Sequence, residues 1–578
     1  MFSNKDTKTN NKYNLILLFV ILFVLVCDAF FVSRKEGFHM DEILSYELSN
    51  SEFTPWITPT QPQGRLEKYY QSKIYDRNIL VRMANLFDQA VDVISNQSSS
   101  EAASMTADVY DKPVWMSREE IVGYVTYDKK DSVLFLSPYY NSTTDNHPPL
   151  YFMLMGFLSM IHELISPGTL SAWTGCILNM VFMAFSLLLI AIIFRDILGK
   201  KNTGIFAALF YGLSAAGIST VLLIRMYSMA AFFCLAFTYV LLKKLKDGED
   251  FKKGNRLLIL VTVLGFLTQY FVCIYYFFLT AFVMLYLALK REKKKMLYLF
   301  RALVISGIWG VCLYPFVFHD LFGTKVGESV MGSLTDASGY FSKLASFFRI
   351  SSAEVIGSVT GMTVVLILAL LSLCYSAKEK SVDVPILFMG VSSVLYLLTV
   401  SRIAPYLVDR YLMPVFPVMS LCAVFIVQKV IIIISGKYIK SEKTRKRLYY
   451  GLFAALMLMC TALSFCHVPG YLYKGYTSQI KISERYRGLD AVVVYEGTSF
   501  YQNIPELMNY GNTLLLKEDE LKEEYDRLSS DDELIVIIGP GVGKQVVYSG
   551  LGKPYGFSSM TVLLEDGVFG DTVCLLSK

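Results

Sequence analysis

Near its start the chain carries His39-Met40-Asp41-Glu42, a few residues beyond its first long apolar run. After a long polar stretch comes Asp145-Asn146-His147-Pro148-Pro149-Leu150-Tyr151. Side chains of these types can take a proton from an incoming hydroxyl or amine, or share a divalent metal ion, for which Asp41, Asp145 and His147 are the candidate ligands. Two adjacent acids after a helix are more often solvated than reactive, and a histidine before two prolines is also a helix-start signal. Two arginines add a second kind of site. Arg225-Met226-Tyr227 follows an apolar run with no other charge close by, and Arg410-Tyr411 follows Arg402 and Asp409. A guanidinium stays charged and binds phosphate through paired hydrogen bonds, although it can also snorkel to lipid headgroups.

The elements that must position these residues are read from apolar runs. With 578 residues, 54% hydrophobic and only 18% charged, the chain has the composition of an α-helical polytopic membrane protein. A crossing needs about 20 apolar residues. The first run, 15–32, has no small-residue cleavage site before Arg34 and reads as a retained helix. Further spans are expected near 171–194, 203–221, 226–242, 257–270, 272–289, 297–318, 354–376, 384–400, 411–435 and 449–468, giving about eleven in all.

Lysines and arginines concentrate before residue 13 and around 195–201, 243–256, 290–295, 378–380 and 437–447, so these segments are assigned to the cytoplasmic side. The N-terminus is then inside, and the loop 33–148 and the C-terminal part lie outside. Parity requires the run 150–165 to lie at the outer surface without crossing. The net charge of +5 follows from this loop bias and gives no support to nucleic-acid binding. Span interiors are nearly free of charge, with Lys429 close enough to an end to snorkel, so no midplane ion relay is expected. Nine of the ten cysteines lie in apolar segments, which argues against a disulfide or CxxC framework.

Within the outer loop, 65–95 has a helical pattern and 95–104 is serine-rich. The chain divides into a membrane domain, 1–470, and a small α/β domain, 471–578. In the latter, 491–495, 513–516 and 534–538 read as buried strands and 518–528 as helical. Gly539-Pro540-Gly541-Val542-Gly543-Lys544 has the wrong spacing for a phosphate loop and reads as a glycine turn. Asn141-Ser142-Thr143 matches the glycosylation acceptor pattern.

Taken together, Asp41-Glu42 after the first span, the segment from Asn146 to Phe152, Arg225-Met226-Tyr227, Thr268-Gln269-Tyr270, and Arg410-Tyr411 with Pro414 and Pro417 resemble a known group. These are the GT-C fold membrane glycosyltransferases that use polyprenyl-phosphate sugars, particularly the bacterial protein O-mannosyltransferase and aminoarabinose transferase-like branch. The likeness extends over about residues 13–470. It implies that Asp41 is the catalytic base or metal-holding acid, with Glu42 beside it, and that transfer inverts the sugar carbon. It further implies that His147, Arg225, Tyr227, Arg410 and Tyr411 contact the donor phosphate. Where the family often has an acid before the proline of the second cluster, this chain has Asn146 and His147.

The leading expectation is therefore a glycosyltransferase of the bacterial cell membrane. Its partners would be a polyprenyl-phosphate-linked sugar, membrane lipids and an extracytoplasmic acceptor. The alternative is a transporter or flippase of lipid-linked sugars, which would also need arginines and many spans but more often shows internal repeats and broken midplane helices. A non-catalytic envelope scaffold is the third reading.

Overall fold

The computed structural model describes residues 3–51, 113–127, 136–143, 145–247, 255–317, 320, 339–466, 470–496 and 499–578. The pattern expected at 65–95 and the serine-rich stretch at 95–104 lie outside them. One helix runs from Ser3 to Val32, and its part from Asn11 onward is apolar enough to cross a membrane. Among the described residues seven more helices qualify by length and composition: Ala172–Ile197, Tyr227–Lys246, Val272–Leu289, Lys293–Leu313, Val359–Lys378, Val384–Ile403 and Met413–Tyr438. A ninth crossing is formed if Lys201–Gly212 and Ala215–Leu222 count as one. The protein is thus a multi-pass helical membrane protein.

Among the described residues this is eight or nine spans where about eleven were expected. The run at 203–221 is two helices bent by 57°. Ser214 causes the break by capping the second helix, accepting from the Gly217 N–H at 3.1 Å. Asn255–Phe266 is only 12 residues long, too short to cross alone. The run at 449–468 begins within Glu442–Cys466 and ends outside the described residues. Leu150–Ile165 is a 16-residue helix packed against Met40–Asn50 and Ala172–Ile192. A Cβ at its Gly156 would stand 2.7 Å from the Ser49 carbonyl oxygen, so the glycine permits the close approach.

Three of the basic segments share one end of the helical body. The Lys201 ammonium lies 4.2 Å from the Tyr13 ring centroid, and Lys246 Nζ donates to the Asp196 carbonyl at 2.6 Å. Because the first helix runs away from that end, it delivers Asp41 to the opposite one. Lys429 reaches the half-exposed Asp383 at the start of Val384–Ile403 and pairs with it there. One charge departs from expectation. Asp28 is buried inside the first span with neither carboxyl oxygen hydrogen-bonded.

The C-terminal part forms a mixed six-stranded sheet in the order β1-β3-β2-β4-β6-β5. Its strands are β1 (Val114–Ser117), β2 (Ala491–Tyr495), β3 (Asn512–Lys517), β4 (Glu533–Ile538), β5 (Ser559–Leu564) and β6 (Thr572–Ser577). The pairs β2–β3 and β2–β4 are parallel, and the others are antiparallel. The three expected strands are present, but 518–528 holds two short 3-10 helices, Glu518–Lys522 and Asp526–Ser530. The edge strand β1 comes from the long loop, so the sheet is not confined to 471–578. Side-chain alternation splits its core. Val492, Val494, Leu514 and Val536 form a small core on one face, whereas Val493, Leu515, Ile535 and Ile537 join the large core shared with the membrane helices.

Gly175 shows how closely the helices seat the site. A Cβ there would overlap Ile224 Cγ2, and the Ile224 N–H is bonded to Glu42 Oε1 at 2.8 Å. Gly175→Ala is expected to cost roughly 1–3 kcal/mol of stability by overpacking. Thermal melting of the purified protein checks this, and an unchanged melting temperature would contradict the packing described.

Candidate active site

The first turn of Met40–Asn50 carries two carboxylates, both favoured by the positive end of the helix dipole. His39 caps the helix: its Nδ1 accepts from the Asp41 N–H at 3.1 Å, and its own N–H is taken by Glu42 Oε2 at 2.6 Å. Burial, reinforced by Arg410 and Arg225 and opposed by Glu42, pushes the His39 imidazole down to about 4. The ring is therefore neutral near pH 7, and Nδ1 is the acceptor. Asp41 Oδ2, 3.2 Å from that nitrogen, gains no ion pair from it.

Asp41 is paired instead with Arg410, which stands on the 3-10 turn Asp409–Tyr411. One turn down the helix, Ser45 Oγ donates to the Asp41 carbonyl at 2.8 Å and accepts from Arg225 Nη1 at 3.2 Å. Arg225 is 3% exposed, in the link between Ala215–Leu222 and Tyr227–Asp247. Its Nη2 lies 3.7 Å from Asp145 Oδ2 and 3.5 Å from His147 Nδ1, and its guanidinium is 5.5 Å from the Phe152 ring centroid. His147 Nδ1 is closer to Asp145 Oδ2, at 3.0 Å, which favours donation to the carboxylate and leaves Nε2 to meet a ligand. Burial raises Asp145, but His147 and then Arg225 outweigh it and hold the carboxyl at about 2.

The structure therefore gathers Asp41, Asp145, His147, Arg225 and Arg410 around the start of one short helix. The bond from the Leu150 N–H to the Leu267 carbonyl, 3.1 Å, fixes the His147 segment against the turn at 268–270. Other expected residues have different places. Glu42 is fully buried, with Oε1 taken by Ile224 and Oε2 by His39 and by Lys35 Nζ at 2.9 Å. Every oxygen is engaged, the pattern of a residue that holds a site in shape. Tyr227 is 2% exposed and Tyr411 7%, the latter edge-on to Phe271 at 5.2 Å, so both line the wall behind the arginines. Asn141 is wholly buried, its amide bonded to the Leu48 and Ser51 carbonyls, which is no place for a glycan. Lys544 pairs with Glu565 on the exposed sheet domain, far from a phosphate-loop arrangement.

A metal ion shared by Asp41, Asp145 and His147 does not fit this geometry. Each carboxylate already faces a guanidinium, and among the described residues no group of three or more acids, histidines and cysteines is placed to hold a metal. Sequence reasoning missed Lys35 and Tyr471. Lys35 has no exposed side-chain surface and donates to both Glu42 and the Tyr471 carbonyl, the latter at 2.6 Å. Its signal was faint: a lysine at the end of the first span on the side where the loop bias disfavours it.

No protein-family model matches the sequence, and no curated protein matches it. Solved structures similar in fold include two of one protein. One is ArnT from Cupriavidus metallidurans bound to undecaprenyl phosphate, with a TM-score of 0.47 and 11% identity, covering 74% of this chain and 88% of that one. The other is ArnT from the same organism in the apo state, with a TM-score of 0.44 and 10% identity, covering 74% and 87%.

Removing the Lys35 ammonium while keeping its stem tests the Glu42 anchor. Lys35→Met leaves a buried carboxylate without its cation and is expected to cost about 3–5 kcal/mol. Thermal or denaturant unfolding reads this directly; a loss of under about 1 kcal/mol, the worth of an exposed pair, would show that the pair is not buried as described.

Proposed function

We propose that the chain is an integral-membrane glycosyltransferase that moves a sugar from a polyprenyl-phosphate donor to an extracytoplasmic acceptor. The observation that carries this reading is the pairing of one carboxylate with one arginine beside a second, buried arginine at the same end of a helical membrane body. A carboxylate suits proton removal, and two guanidiniums suit a phosphate. The donor's lipid would lie among the helices while its phosphate and sugar sit at the Asp41 end.

The resting arrangement suggests an order of events. Without donor, Arg410 neutralises Asp41. A phosphate entering between Arg225 and Arg410 competes for the guanidinium, and Asp41 is released to accept a hydrogen bond from the acceptor. In the transfer step the acceptor O–H or N–H proton goes to Asp41 and the acceptor atom forms a bond to the anomeric carbon. The bond from that carbon to the phosphate oxygen breaks, its electron pair leaving with the polyprenyl phosphate. Arg225, Arg410 and His147 Nε2 are disposed to stabilise that departing charge. Displacement at one carbon by one acceptor inverts its configuration. No step needs a metal ion.

Transfer of radiolabelled sugar from polyprenyl phosphate, in membranes with a crude envelope extract as acceptor, tests the reading. Asp41→Asn at matched expression should reduce transfer by at least about 100-fold, the lower end of what a positioned base contributes, while donor binding persists. Equal transfer by both proteins would remove Asp41 from the mechanism. Movement of donor across the bilayer with no transfer by the unaltered chain would favour the flippase.

A further inference from the structure

Tyr471 touches the supports of both halves of the Asp41–Arg410 pair. Its hydroxyl donates to Asp409 Oδ1 at 2.5 Å, and its carbonyl accepts Lys35 Nζ at 2.6 Å. The Asp409 carboxylate also takes the backbone N–H groups of Asp409 and Arg410, so it closes the turn that carries Arg410. Lys35 holds Glu42, the neighbour of Asp41. One residue of the segment entering the sheet domain therefore ties the turn under Arg410 to the turn under Asp41.

The backbone here is held against its preference. Tyr471 has φ +70° and Tyr473 φ +49°, values that residues with a Cβ adopt only where their surroundings enforce them. The enforcement is visible in the neighbouring contacts. The Glu36 N–H donates to the Leu472 carbonyl at 2.9 Å, and Glu36 Oε2 takes the Gly475 N–H at 2.8 Å and the Thr477 hydroxyl at 2.9 Å. Gly37 leaves room for this strap, since a Cβ there would stand 2.9 Å from Tyr473 Cβ.

We propose that Tyr471 is a positioning residue for the Asp41–Arg410 pair, through which the docked segment holds Arg410 in register with the reacting carboxylate. The proposal rests on the transfer reading above. Asp409 is faced by Arg410, His39, Glu354 and the hydroxyls of Tyr471, Tyr473 and Tyr227. Burial raises its carboxyl, and the Tyr471 hydrogen bond works against that rise. Loss of the hydroxyl must then raise it further, so the carboxyl protonates at a higher pH and lets go of the turn there.

Two measurements on the full chain test this. In the first, Tyr471→Phe, Arg410→Gln and the double variant are melted in detergent. The expected result is strong coupling, the double variant melting close to the less stable single variant; additive losses, the rule for independent sites, would overturn the proposal. In the second, the pH profile of sugar transfer is compared for the unaltered chain and Tyr471→Phe. The acid limb should move to higher pH, with lower turnover on that limb and full recovery at alkaline pH, as a raised controlling carboxyl requires. A profile lowered in parallel, or unchanged, would overturn the proposal even if melting is coupled, because a merely structural tie gives that result. Absence of transfer by the unaltered chain would instead sink the transfer reading, and the melting cycle alone would then decide whether the tie exists.

Discussion

Two adjacent carboxylates, Asp41 and Glu42, enter a water-poor junction at the start of one short helix, and each requires a cation from outside that helix. Much of the architecture around the site answers this constraint. Glu42 is met by Lys35 from the end of the first span and by the Ile224 N–H from a helix link far along the chain. Asp41 is met by Arg410, 369 residues away. A buried carboxylate without such partners would cost several kcal/mol, so the contacts that close the helical body also secure the charge pattern. Glu42 has both oxygens engaged and anchors the turn, while Asp41, among the described residues, has Arg410 as its cation partner, the contact that the proposed reading has a phosphate draw away.

The sheet domain belongs to the same arrangement. One face of β2, β3 and β4 packs into the core shared with the membrane helices, and the segment preceding it lies across Lys35, Glu36 and Gly37. The left-handed backbone at Tyr471 and Tyr473 is stored strain of the sort that persists where surrounding contacts over-determine it. It brings a hydroxyl and a carbonyl of one residue to two different charged turns, which an unstrained connection would not do.

The membrane body was legible in the sequence because long apolar runs have few alternatives, and β2 and β4 were legible as short runs with every or nearly every residue buried. The breaks were not. Ser214 caps a helix inside what reads as one span, and only three-dimensional packing reveals that Gly217 must pass the Tyr211 carbonyl. β5 was missed because its mixed exposure blurs the period, and β1 because four residues acquire a strand's identity only by pairing with β3. Asp41, Arg225 and Arg410 stood out as charges beside apolar runs. Lys35 and Tyr471 did not, since their importance arises from a contact spanning 436 residues. Asp28 was overlooked because the run around it is otherwise apolar enough to cross a membrane.

The central claim is that a phosphate takes Arg410 from Asp41. Structures determined by electron microscopy with and without polyprenyl phosphate test it most directly. The account predicts the ion pair intact without ligand, and with ligand a phosphate held by Arg410 and Arg225 while the Asp41 carboxylate stands free. A phosphate bound elsewhere, with Asp41 and Arg410 still paired, would contradict it.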